Sequence, residues 1–137
     1  MVALYGMLSL AAGCREDDKK AGPSPLTIVT DIDVTTERGT FRVTLGSQEL
    51  GCSGGTFFTR HLGQDEFSTL QMVLTCTEGE RSGSFFIRIE NLQRWNFQSG
   101  TGDFAGVRGK GKGKLTAGGN AGPNRTGPYL TGTVRYS

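Results

Sequence analysis

Histidine is nearly absent from this chain. His61 is the only one in 137 residues, and tryptophan occurs once, cysteine three times and proline four times. One imidazole and no Cys-x-x-Cys spacing exclude the common zinc and dithiol redox sites. They also leave little for a Ser-His-Asp hydrolase, for which no Gly-x-Ser-x-Gly elbow is present. No apolar run reaches the ~18 residues of a membrane-spanning helix. Neither sign of charge dominates, since 15 basic and 13 acidic side chains leave a net charge of +2, too small by itself to imply a partner. What the chain has in quantity is glycine, 22 residues, with 35% hydrophobic residues. That balance is too apolar for disorder and too rich in glycine for helices, so it predicts strands and tight turns. At 14.7 kDa the chain is one domain, large enough for a core without a cofactor to hold it together.

Met1 to Gly13 carries no charge, is largely apolar from Leu4 to Ala12, and ends in small residues before Cys14. Leu-Ala-Ala-Gly-Cys, residues 10 to 14, resembles the lipobox of a bacterial lipoprotein signal. The resemblance implies a signal peptide over 1–13, a lipid on Cys14, and an exported domain anchored to a membrane of the cell envelope. A buried N-terminal strand or helix is the alternative. Assigning Cys14 to a lipid leaves Cys52 and Cys76 as a pair, in a compartment where disulfides persist. Residues 14–25, with mixed charge, Pro23, Pro25 and no large apolar side chain, read as a solvated tether, and 26–137 as the folded domain.

From Leu26 the pattern is period two. Leu26, Ile28, Thr30, Ile32 and Val34 form one face, and Phe41, Val43 and Leu45 the inward face of a second strand. A third strand to about Leu62 and a fourth from Phe67 to Thr77 form a hairpin about Gln64. Its symmetric pairs set Phe58 opposite Leu70, Thr56 opposite Met72, Gly54 opposite Leu74 and Cys52 opposite Cys76, all on one face. Phe85, Ile87 and Ile89 mark strand five, Trp95 and Phe97 strand six. In strand seven Gly109, Gly111, Gly113 and Leu115 alternate with Lys110, Lys112 and Lys114, so a bulky group, with Trp95 and Phe97 nearest, is expected against the glycine face. Tyr129 to Tyr136 is strand eight, after a loop over 117–128. Eight antiparallel strands predict an all-β barrel or sandwich, and a barrel closes without an edge.

Between strands six and seven lies Gly-Thr-Gly-Asp-Phe-Ala-Gly-Val-Arg-Gly, Gly100 to Gly109, whose glycines suit a sharp corner. It resembles the corner of allene oxide cyclases and plant dirigent proteins, which share one eight-stranded antiparallel β-barrel. The likeness extends through Tyr129-Leu130-Thr131-Gly132, and covers about Ser84 to Tyr136. The chain also looks like small exported bacterial proteins that pair this corner with two cysteines placed like Cys52 and Cys76. The resemblance implies the allene oxide cyclase/dirigent-like barrel and, from the dirigent side, a tendency to trimers. The matched positions, Gly100, Gly102, Phe104, Gly106 and Gly109, form the corner and carry no catalytic group.

Several residues invite a role. Gly100-x-Gly102-x-x-Ala105 fits a dinucleotide fingerprint, but no helical period follows it. The Lys110, Lys112, Lys114 row could meet an anion. No aromatic is interleaved with it, so a solvated outer face is favoured and no nucleic-acid partner is expected. His61 is expected outward. Arg60, of inward parity, would orient a carboxylate at the barrel mouth or reach water from its rim. Asp103 and Arg108 would form a polar pair near a mouth or cap turns. With Trp95 and Phe97 these make the candidate ligand contacts. No catalytic residue, metal or cofactor is assigned, because the inward positions show no paired carboxylates. The expected function is an exported, lipid-anchored barrel that binds an apolar small molecule or a partner without catalysis. The alternatives are a cyclase or isomerase on an apolar substrate, and a structural envelope domain with a filled core.

Overall fold

A computed structural model describes residues 22–33, 35–62, 69–91, 93–117 and 125–136. The expected signal peptide, Cys14, most of the tether, the turn at Gln64 and much of the loop before strand eight lie outside the described residues. The elements are β1 (Ser24–Asp33), β2 (Arg38–Leu45), α1 (Ser47–Leu50), β3 (Gly54–His61), β4 (Thr69–Glu78), β5 (Ser84–Glu90), β6 (Arg94–Gly100), a 3-10 turn (Gly102–Phe104), β7 (Val107–Arg108), β8 (Lys110–Ala117) and β9 (Arg125–Tyr136). Every pairing is antiparallel. The eight long strands follow the order β1-β2-β3-β4-β5-β6-β8-β9, and a β1–β9 pairing closes them into a barrel; β7 extends the end of β9.

Period-two alternation fills the inside. Leu26, Ile28 and Ile32 of β1, Phe41 and Val43 of β2, Phe57 of β3, Met72 and Leu74 of β4, Phe85, Ile87 and Ile89 of β5, Trp95 and Phe97 of β6 and Leu130 and Val134 of β9 are each at most 8% exposed. Phe85 is central, with Phe104 at 5.0 Å and Phe41 and Phe97 each at 5.8 Å between ring centroids. Such tilted and edge-on rings are each worth about 0.5–1.5 kcal/mol beyond the area they bury. Thr30 is the exception among the inward residues. Its hydroxyl donates to the Pro128 carbonyl at 2.7 Å, where the β1–β9 ladder is interrupted at a residue with no N–H.

Strand β8 shows why its inward face is glycine. A Cβ on Gly111 would overlap the Thr131 carbonyl oxygen and meet the Gly132 Cα at 2.6 Å. The close neighbour is therefore chiefly the backbone of β9 rather than a bulky ring, although Phe97 does reach the Gly109 position at 3.1 Å.

The β3–β4 hairpin departs from the expected register. Leu62 N–H bonds to the Thr69 carbonyl, and the pairs are Phe57↔Leu74, Thr59↔Met72, Arg60↔Gln71 and His61↔Leu70. This odd shift reverses the faces of β3, turning Phe57 in and Phe58 and Arg60 out. Adjacent phenylalanines carry no parity signal, so the sequence pattern could not choose between them. Cys52 and Cys76 are nonetheless bonded, with Cα atoms 6.0 Å apart. Cys52 lies in the loop after α1, and a bulge at Gly54/Gly55, with Ser53 N–H on the Glu78 carbonyl, brings it to β4. Leu45, expected inward, is 51% exposed, because a register shift between Thr27 and Ile28 turns it out. The domain also begins earlier than 26, since Ser24 and Pro25 already pair with Val134 and Thr133.

One end of the barrel is capped. Leu50 of α1, Phe104 and Val107 are fully buried there. The corner bends at Gly102 (φ 58°), Gly106 (φ 89°) and Gly109 (φ 154°), as its glycines predict. It is pinned to the β4–β5 turn: Ser82 N–H donates to Asp103 Oδ2 at 2.9 Å, and Arg81 donates to the Asp103 carbonyl at 2.7 Å. The Arg81 guanidinium also lies 4.0 Å over the Tyr136 ring, whose hydroxyl donates to the Leu50 carbonyl at 2.7 Å. Burial raises the Tyr136 phenol above its ordinary value, Arg81 opposes that shift and Asp103 adds to it. The β1–β2 turn lies at the opposite end.

Two predictions follow from this packing. Replacing both cysteines by serine opens a loop of separation 24, and should lower stability by about 3–4 kcal/mol, read by denaturant melts. A phenol raised in the fold binds its proton more tightly there than in the unfolded chain, so its stabilisation is complete below pH 10 and is lost as pH climbs through the folded value. Tyr136→Phe should therefore cost about 1 kcal/mol at neutral pH, and that gap should narrow in melts above pH 10.

Candidate functional site

The residues expected to converge on a ligand do not meet. Trp95 and Phe97 are core, 2% and 5% exposed, with their rings 5.3 Å apart and edge-on. The Trp95 Nε1–H donates to the carbonyls of Lys112 and Thr131, both at 3.1 Å, so its polar edge is used in fastening β6 to β8 and β9. Arg60 is on the outer wall, where it donates to Gln71 Oε1 at 2.6 Å and lies 5.9 Å from the Phe58 ring centroid. Its expected inward parity is reversed with the β3 register. Asp103 caps the Ser82 amide at the sealed end, the turn-capping role weighed above, although the turn it caps is a neighbour's. Arg108 is exposed on β7, opposite Arg135 of β9.

His61 is also turned about. It shares inward parity with Phe57 and Thr59 and sits at the turn end, with Nε2 3.2 Å from Glu37 Oε2. The other oxygen of Glu37 accepts the Thr59 hydroxyl at 3.2 Å, and the Glu37 carbonyl accepts the Thr59 amide at 3.1 Å. Glu37 reaches both groups from a left-handed backbone, φ 59°. The carboxylate fixes the imidazole but occupies the only hydroxyl beside it on this strand. That arrangement holds the β1–β2 turn to β3 and leaves Thr59 poorly placed as a nucleophile for His61. Among the described residues no three metal-ligating side chains gather.

The outer wall over β1 to β4 offers more. Two shallow grooves share Thr40 and Thr56. One, of about 400 Å³, runs past Val29, Asp31, Arg42 and Glu78, and the other, of about 410 Å³, past Asp33, Arg38, Phe58 and Thr75. Their floor is a cross-strand row, Asp31, Thr40, Thr56, Thr75 and Ser84, one residue from each of five strands. Thr40, Thr56 and Thr75 are exposed, and Thr75 and Ser84 share a hydrogen bond of 2.9 Å. Strand spacing sets the backbones that carry these hydroxyls about 4.8 Å apart. At one side Phe58 is flanked by two guanidiniums, Arg38 at 5.3 Å and Arg60 at 5.9 Å. Such a surface can hydrogen-bond a polar partner along its length and hold it at an aromatic and cationic edge. Sequence reasoning missed it, because the row depends on the register of four pairings at once.

No family model, curated protein or solved structure matches the chain.

A packed interior has a measurable signature. Trp95→Ala should cost about 3–5 kcal/mol and leave a hollow that binds an apolar fluorescent dye, whereas the unaltered protein should give no dye signal in the same titration.

Proposed function

We propose that the chain is an exported, lipid-anchored barrel of the allene oxide cyclase and dirigent kind that works without catalysis, presenting its outer wall to a partner around a filled core. The observation that carries this reading is the packing of the interior: the side chains a ligand would need to displace, from Ile28 through Phe85 to Trp95, are at most 8% exposed. Small barrels either fill with side chains or hold one ligand, and these inward residues follow the first course. The Gly100–Gly109 corner and its burial of Phe104 support the barrel kinship, and Leu10 to Cys14 supports the anchor. The hydroxyl row with Phe58, Arg38 and Arg60 is the surface assigned to the partner. The cyclase reading draws no support from a site in which Trp95 and Phe97 are core and Arg60 faces out.

Mass spectrometry of the protein produced from its full sequence in a bacterial host tests the anchor and the interior together. The expected species starts at Cys14, carries a lipid-sized addition, gains two hydrogens on reduction and retains no small molecule. An unprocessed Met1 would overturn the anchor, and a stoichiometric apolar ligand would overturn the filled-core reading. A photo-crosslinker at Thr56 should give one discrete adduct that Phe58→Asp abolishes; an adduct that survives this change would remove the partner from this wall.

A further inference from the structure

The near-neutral total conceals a separation of charge. From Arg94 to Tyr136 the chain has seven basic residues and one acid, Asp103, a net charge of +6; residues 22–93 have five basic and nine acidic, a net charge of −4. The fold turns this division of the sequence into a division of the surface, because β6, β8 and β9 are contiguous. Lys110, Lys112 and Lys114 project outward from β8, with Arg94 on β6, Arg135 on β9 and Arg108 on β7 beside them, all exposed. Among the described residues, the only carboxylate ion-paired to any of these six is Glu90, 3.5 Å from Arg94 and shared with Arg88. The lysine row also has an aromatic neighbour after all: Tyr129, 38% exposed, stands directly opposite Lys114, and Thr131 opposite Lys112. Along the short β6–β8 pairing a cleft of about 300 Å³ is lined by Arg94, Asn96 and Lys110, and also by Glu90, which is ion-paired to Arg94.

We propose that the β6–β8–β9 wall docks on the anionic phospholipid surface of the bilayer that holds Cys14, with Arg94, Asn96 and Lys110 receiving a headgroup phosphate. In orientation it rests on the lipid anchor proposed above. Ser24 pairs with Val134, so the chain from Cys14 enters the barrel beside β9, the edge of this wall. The nine residues between Cys14 and Ser24 let the two ends lie at most about 35 Å apart, enough for the wall to lie flat while the anchor stays inserted. Basic residues near an anionic surface each add about 1 kcal/mol of attraction to whatever the anchor supplies. A row of three lysines with no ion pair among the described residues, a tyrosine and a cleft lined by two cations suits a headgroup layer. The hydroxyl row over β1–β4 then faces away from the bilayer.

The test uses residues 14–137 carrying Cys14→Ser, which lack both the apolar signal and the lipid, and sedimentation with vesicles of phosphatidylcholine alone or with one third phosphatidylglycerol. The expected result is binding to the anionic vesicles only, lost in high salt. Lys110→Gln/Lys112→Gln/Lys114→Gln should weaken it roughly a hundredfold, while Arg38→Gln/Arg42→Gln/Arg60→Gln, an equal charge change on the other wall, should alter it by no more than about twofold. No binding, equal binding to neutral vesicles, or equal losses in the two variants would overturn the proposal. So would tighter binding to soluble dextran sulfate than to the vesicles, which would give the wall to a soluble polyanion. An unmodified Cys14 in the mass spectrum would remove the anchor and leave the vesicle result standing, so the two can fail separately.

Discussion

Eight strands enclose a space about as wide as the side chains that line it, and that geometric limit governs the rest of this molecule. The interior is filled by rings: Phe85 gathers Phe41, Phe97 and Phe104, and Trp95 completes the set against Phe97. So many rings fit only because β8 and β9 bring backbone to backbone at Gly111 and Gly132. Glycine's cost in a strand, about 0.5–1 kcal/mol relative to alanine, is offset by the aromatic area this closeness encloses. The alternation of lysine and glycine is thus one device with two faces, a close-packed inner surface and a charged outer one.

The capped end shows how distant parts of the chain are drawn to one place. The Cys52–Cys76 bond, the Asp103 cap on Ser82 and the contacts of Tyr136 with Arg81 and Leu50 join the start of β3, the end of β4, the glycine corner and the last strand. The walls differ in character: hydroxyls, mixed charge and Phe58 over β1–β4, and a preponderance of cations over β6, β8 and β9.

Much of the fold is legible in the sequence wherever one residue type marks each face. Leu26 to Ile32, Phe85 to Ile89 and Trp95 with Phe97 alternate without ambiguity, and the structure buries them as the pattern requires. Legibility fails at β3, where Phe57 and Phe58 are adjacent and a bulge at Gly54 separates the cysteines from the strand parity. Arg60 faces out for that one reason, and His61, exposed as expected, takes the inward parity. The candidate site was less legible, because its features arise across strands. Tyr129 is far from Lys114 in sequence and opposite it only in the β8–β9 register, and the threonine row exists only once four ladders are fixed. Charge was present in the sequence but summed away, since a total of +2 is blind to where the acids and bases fall.

The β1–β9 seam joins the first strand of the domain to the last. A growing or translocating chain therefore carries β1 unpaired on one side until Tyr136 has emerged, with Leu26 and Ile28 awaiting Leu130 and Val134. Contacts this remote in sequence make for slow folding, and an open strand edge in the interval is a template for intermolecular pairing. Every C-terminal truncation that removes β9 should accordingly be judged as an aggregation hazard rather than as a smaller domain, and the seam is where a chaperone would have most to protect.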